Sequence, residues 1–264
     1  MSKGYILGIS CGYHDSAAAL IKDGKVLGAV EEERFTGVKH DNSFPIKSIA
    51  HLYAKNKVQK NDVDAICFYE NPDLKLDRIE NSTKRGHWLW NYFTRRRILK
   101  RNKKAYHKLE TTLNSITGHQ TKIIYSDHHL SHINYSYLTS PFQEANILSV
   151  DGVGEWETTV LAKGNKNFIT KLQSINFPAS LGMLYSSFTA YLGFKPNEGE
   201  YKVMGLAPYG DWTIYKDEFK KLYTLNKDGS FEINMKYFTY DYSDTHMFNY
   251  KLGELFGVPN RLPE

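Results

Sequence analysis

Cysteine is nearly missing from this chain, with Cys11 and Cys67 the only two among 264 residues. They form no CxxC pair, which excludes a disulfide-stapled secreted scaffold and a cysteine-rich metal module. No apolar run approaches the roughly 18 residues that a membrane-spanning helix needs. The apolar run Tyr5–Ile9 is also too short for the core of a signal peptide, because a Gly-Tyr-His-Asp turn interrupts it. Eight prolines and 19 glycines are too few for a collagen-like or low-complexity chain. What is present, 41% apolar residues including 19 Tyr, 14 Phe and 4 Trp, is enough to build a core. The length suits one large domain or two small ones. Unpaired thiols and no leader predict a reduced, cytoplasmic protein.

Acidic residues are also missing locally. Between Lys84 and Lys108 there are ten Lys and Arg and no Asp or Glu. The whole chain has 34 basic and 29 acidic residues, so its net charge of +5 is one local feature of an otherwise mildly acidic protein. Trp88, Trp90, Tyr92 and Phe93 stand beside Arg95-Arg96-Arg97 and Lys100-Arg101 in the same stretch. It reads either as a solvated helix face with its aromatics turned inward, or as a contact for an anionic surface, whether nucleic acid or membrane.

The first 35 residues read as a β-meander: Tyr5–Cys11, then the polar turn Gly12–Asp15, Ser16–Ile21, a hairpin at Asp23-Gly24, and Val26–Val30. Pro45 opens a helix in which Ile46, Ile49, Ala50 and Tyr53 recur at helical spacing. Val63–Tyr69 and Lys122–Tyr125 are strand-like and flank a long helical stretch. From about residue 145 the pattern begins again, with Asn146–Val150, a tight turn at Asp151–Gly154, Thr158–Ala162 and a hairpin at Lys163-Gly164. An offset of about 140 residues places Gly12 on Gly152 and Gly24 on Gly164. Duplicated β-β-β-α-β halves are the plan of the actin-like ATPase (ribonuclease H-like) fold, an α/β architecture in which two Gly-rich turns grip phosphate. The expected division is 1–142 and 143–264, with the second half incomplete.

Asp127-His128-His129-Leu130-Ser131-His132 is the sharpest chemical feature. On a helix beginning at this strand end, His128 and His132 are i and i+4, so two imidazole nitrogens leave one face. A bare HxxxH pair is often just two surface or core histidines. Three histidines at a strand-to-helix junction favour a divalent metal, with a carboxylate still required as third ligand. Imidazole plus carboxylate with open positions suits iron or zinc. In the turn Gly12–Ser16, Gly12 permits close approach of a ligand and His14 is the natural proton-transfer group, while Lys39 can neutralise a phosphate or oxyanion. Gly152 and Gly154 allow a loop to wrap a phosphate. In the segment Gly199–Gly210, Glu200 can bind ribose hydroxyls and Lys202 can meet an anion.

GISCGYHDSAAAL, EEERFTGVKHDNSFP, DHHLSH, SVDGVGE and GEYKVMGLAPYG occur here in the order and spacing of the carbamoyltransferases of nodulation and antibiotic biosynthesis. The chain resembles the N-terminal part of that family, itself similar to the threonylcarbamoyl-transferring protein of tRNA modification. The resemblance implies that carbamoyl phosphate and ATP give a carbamoyl-adenylate, and that the carbamoyl group then passes to a hydroxyl of a sugar or natural product. It implies His128 and His132 as ligands of an iron-like ion, His14 at the transfer site, Lys39 on the carbamoyl-adenylate, and Glu200 and Lys202 beside the nucleotide. Members of the family are more than twice as long. The expectation is therefore an N-terminal fragment or split protein, inactive alone, with the carboxylate ligand and the adenylate-forming domain beyond Glu264. A phosphotransferase of the same fold and a fragment that only binds nucleotide or a partner are the rival readings.

Overall fold

The computed structural model describes residues 4–81, 88–116, 121–243 and 245–263. Lys84 and Arg85, and the side chains of Trp88 and Trp90, lie outside what is described. The chain divides into two compact units: residues up to Leu76 with Ile98–Ser131, and Asp77–Arg97 with His132 onward.

In the first unit β1 (Tyr5–Ser10), β2 (Ala17–Lys22) and β3 (Lys25–Glu31) form the expected antiparallel meander. Asp23 and Gly24, both at positive φ, make the turn between β2 and β3, as a two-residue hairpin requires. After α1 (Glu33–Thr36) and α2 (Ile46–Asn56), β4 (Val63–Phe68) returns parallel to β1. Next come α3 (Pro72–Asn81) and α4 (Trp88–Ile116), then β5 (Lys122–Tyr125), which adds parallel to β4, and α5 (His128–Leu138). The sheet order is β3-β2-β1-β4-β5. Alternation puts Leu7 and Ile9 of β1 on one face, where they meet Leu20, Ile66, Phe68, Leu52 of α2 and Leu113 of α4. Burying each such side chain contributes about 2 kcal/mol.

Two buried carboxylates tie helices to this sheet. Glu32, 2% exposed, accepts from the Lys47 and Ser48 amides at 3.0 and 2.8 Å and from Ser48 Oγ at 2.7 Å. It thereby caps α2, where the helix dipole favours an anion. Glu70, just past β4, accepts from Lys75 Nζ at 2.9 and 3.0 Å and from Tyr106 Oη at 2.7 Å. Removing one partner of a buried pair leaves the other charge uncompensated, so Glu70→Ala will cost about 3 kcal/mol of stability. Glu70→Gln, which can still accept from Tyr106, will cost less. Denaturant unfolding reads both, and an unchanged midpoint for Glu70→Ala would refute this role for the cluster. Burial, helped by the Glu70 charge, pushes the Cys11 thiol up to about 12, and burial also raises that of Cys67. Both thiols are unbridged, and neither has the electropositive surroundings of a reactive cysteine.

The second unit opens with another antiparallel meander: β6 (Glu144–Gly154), β7 (Glu157–Asn165) and β8 (Phe168–Asn176), in that order. Then follow α6 (Leu181–Tyr191), α7 (Glu200–Leu206), α8 (Lys216–Lys220), the hairpin of β9 (Tyr223–Leu225) and β10 (Phe231–Ile233), and α9 (Tyr250–Phe256). Ser180 caps α6 and Asn249 caps α9 through hydrogen bonds from the Met183 and Lys251 amides. An aromatic core gathers Phe177, Tyr191, Phe231, Phe238, Tyr240 and Phe256.

Two expectations move. The turn expected at Asp151–Gly154 lies later: β6 runs to Gly154, irregular after Val150, and the chain reverses at Glu155-Trp156, with Glu155 at positive φ. The hairpin expected at Lys163-Gly164 lies at Lys166-Asn167, because β7 continues to Asn165. Gly164 is a packing glycine, since an added Cβ would run into the Tyr137 ring, so it does not match the turn residue Gly24. Ile133 and Tyr137 of α5 pack on Ile147, Val160 and Ala162 of β6 and β7 in the second unit. The architecture is mixed α/β.

Candidate functional site

In the first unit the loop after β1 is clamped to the segment between α1 and α2. The Gly12 amide donates to Asn42 O at 3.0 Å and the Ser16 amide to Asp41 O at 2.7 Å. Gly12, with φ of 90°, allows the chain to leave β1 at this angle. Across the clamp Asp15 takes two histidines: Oδ2 lies 2.8 Å from His14 Nδ1 and Oδ1 lies 2.9 Å from His40 Nδ1. Asp15 and His40 both adopt the left-handed conformation, with φ of 46° and 56°. Strain of this kind in non-glycine residues survives only where its surroundings over-determine it. His40 is further held by its amide donating to Glu33 Oε2 at 3.1 Å, and neighbouring Asp41 accepts from Thr36 Oγ1 and the Ser43 amide. Burial works to raise the Asp15 carboxyl, but the hydrogen bonds and charges of His40 and His14 outweigh it and hold the carboxyl below its ordinary range. With Nδ1 of each imidazole at hydrogen-bond distance from the carboxylate, a neutral ring that donates there has Nε2 as its acceptor nitrogen. Lys39, exposed, stands next to His40.

His128 and His132 stand one turn apart on α5, which begins directly after Asp127 as expected, the Asp127 carbonyl accepting from the Ser131 amide. In the first unit the His128 ring lies edge-on to Tyr69, and Ser131 Oγ donates to Tyr69 O at 2.9 Å, fixing the first turn of α5 against the end of β4. In the second unit His132 Nε2 is 3.7 Å from Asp151 Oδ2. Asp151 is held in place by its neighbours: the Gly152 amide donates to its Oδ1 at 2.6 Å, and Ser180 Oγ donates to Gly152 O at 2.6 Å. His128, His132 and Asp151 form the one group of three such donors among the described residues that could hold a metal ion. Two imidazoles and a carboxylate are a chemically suitable set for iron or zinc. Sequence reasoning read Asp151 only as part of a glycine turn.

The remaining predicted residues lie in the second unit. The Gly152 amide is engaged with Asp151, and Gly154 ends β6. Glu200 opens α7, where its Oε1 accepts from Ser186 Oγ at 2.6 Å and from the Asn197 amide at 2.8 Å, anchoring α7 to α6. Lys202 Nζ lies 5.3 Å from the centre of the Phe194 ring. The Asp15–His40 bond was not legible, because 25 residues separate its partners.

The chain is thus a mixed α/β protein carrying a paired-imidazole donor set and a carboxylate that orients two further histidines. The family model described as Carbamoyltransferase N-terminus matches residues 5–263, and the chain belongs to that family. It is 44% identical to an uncharacterized protein of Synechocystis sp., covering 98% of this chain and 43% of the relative. It is 34% identical to nodulation protein NolNO of Sinorhizobium fredii, covering 83% and 31%. The chain spans less than half the length of these relatives. Among solved structures, a protein of Pseudomonas aeruginosa with similarity to peptidase YEAZ overlaps 65% of this chain and 64% of its own at 13% identity and a TM-score of 0.36. The Ppx/GppA phosphatase of Aquifex aeolicus overlaps 82% and 63% at 14% and 0.33. Among the described residues no helix is long and apolar enough to cross a membrane.

Proposed function

We propose that this chain is the carbamoyl-transfer portion of a cytoplasmic O-carbamoyltransferase with an actin-like, duplicated fold. Carbamoyl phosphate and ATP are its donors, through a carbamoyl-adenylate, and a hydroxyl of a sugar or natural product is its acceptor. The observation that supports the reading is the Asp15 bridge: with His14 Nδ1 donating to this carboxylate, Nε2 is the ring nitrogen left to take a proton. The acceptor oxygen bonds to the carbamoyl carbon, the bond from that carbon to the adenylate oxygen breaks, AMP leaves, and the acceptor proton passes to His14 Nε2. Lys39 balances charge on the adenylate. His128, His132 and Asp151 would hold a divalent ion. Such an ion, when bound, supplies Lewis-acid polarisation of a poorly electrophilic carbonyl and neutralises charge on the leaving group. Glu200 and Lys202 border the nucleotide, with Gly152 and Gly154 in the phosphate-facing segment.

The test is AMP formation dependent on carbamoyl phosphate, measured on the chain alone and together with a polypeptide supplying the rest of the relatives' length. Turnover with the added polypeptide that is lost in His14→Ala supports the reading. Equal turnover in His14→Ala removes the assigned base.

A further inference from the structure

The proposed reaction does not use the cationic stretch of α4. Lys100, Arg101, Lys103, Lys104 and Lys108 are all exposed, and with 3.6 residues per turn they project within an arc of about 160°. None of the five has an ion-pair partner among the described residues. Glu110, the next acid along the helix, is engaged by Tyr125 Oη at 3.2 Å. Lys100–Lys104 and Lys104–Lys108 are like-charge pairs at i,i+4, each of which opposes the helix. This concentration of cations stands in a chain that is acidic elsewhere. A polyanion lying along the face would offset the repulsion.

Two features select the polyanion. Phe93, 65% exposed, falls within this arc near the start of the helix, and Tyr92, 50% exposed, lies about 20° beyond its edge, their rings meeting edge to face at 5.5 Å. Exposed aromatics beside a row of cations form the platform on which unpaired bases stack while phosphates are neutralised; a duplex offers no free base face. A lipid surface would need the apolar side of the helix to enter it. That side is committed elsewhere, because Tyr106, Leu109, Leu113 and Ile116 belong to the core of the first unit.

We propose that the outward face of α4 binds single-stranded nucleic acid, its phosphates on the five cations and its bases on Tyr92 and Phe93. The experiment is fluorescence anisotropy of the whole chain with a labelled oligothymidylate of about 20 nucleotides, alongside the equivalent duplex and vesicles of phosphatidylserine and phosphatidylcholine. Five phosphate contacts predict a slope of log affinity against log salt of about −3.5 for the single strand. Lys100→Glu/Lys104→Glu/Lys108→Glu will weaken binding more than tenfold and reduce the magnitude of that slope by about 2. Phe93→Ala will weaken single-strand binding by about tenfold. Circular dichroism checks that the variants stay folded, and Lys100→Gln/Lys104→Gln/Lys108→Gln gives the same direction without repulsion. A control reversing Lys25, Lys55 and Lys60 keeps wild-type binding. Absence of binding at about 50 mM salt, triple variants that bind like wild type, or a control as weak as the α4 variants overturns the proposal. So does equal affinity for duplex, or capture by vesicles but not by oligonucleotide.

Discussion

On the proposed reading the wild-type chain purifies with a divalent ion and His128→Ala/His132→Ala without it, and carbamoyl-phosphate-dependent AMP formation in the presence of the added polypeptide will fall on the order of 10³-fold, the several kcal/mol that a Lewis-acid cation supplies. The two imidazoles are i and i+4 on α5, so alanine removes both nitrogen donors while leaving the helix, and alanine is the better helix former. His132 is 56% exposed in its side chain and contributes little to packing. Unfolding of the single variant His132→Ala measured in chelator should therefore be unchanged, with only the metal-dependent increment lost. Asp151→Asn keeps the shape and removes the charge, so ion retention should weaken by something on the order of 100-fold. Metal content is read by elemental analysis of the purified chain, so the result does not depend on knowing the acceptor. Stoichiometric ion in the double variant would mean that the site lies elsewhere.

Asp15→Asn should lower transfer on the order of 10² to 10⁴-fold, the range of a general base that loses its correct protonation state. An amide in place of the carboxylate presents a donor where His14 and His40 now direct Nδ1. The imidazoles then turn or change tautomer, which ¹⁵N spectra of the two rings record directly. His40→Ala tests the other arm, because it removes one hydrogen bond from Asp15 and leaves His14 in contact. The pH dependence has a definite sign. The folded Asp15 carboxyl titrates below its ordinary range, so its stabilising contribution is full above that range and fades as pH falls through the lower folded value. Asp15→Asn should lose that dependence at the acid end. Unchanged ring spectra together with unchanged turnover would reduce Asp15 to a surface carboxylate.

Much of the element order was legible because its signals are local. Asp23-Gly24 specifies a hairpin, Pro45 opens α2, and Leu7 and Ile9 alternate as a half-buried strand must. Errors arose where a packing demand mimics a local signal. Gly164 looks like the end of a hairpin, yet it is there because the ring of Tyr137, on α5 and before the whole of β6, needs the space.

The sequence by itself determined the family, the meander that opens each unit and the imidazole pair of α5, since each depends on residues a few positions apart whose geometry follows from a helix or a strand. Only the tertiary structure decided which carboxylates act with those histidines. Asp151 reaches His132, and Asp15 reaches His40, through the packing of elements distant along the chain. No periodicity encodes such a distance, because it is set by how strands pair and how loops are clamped.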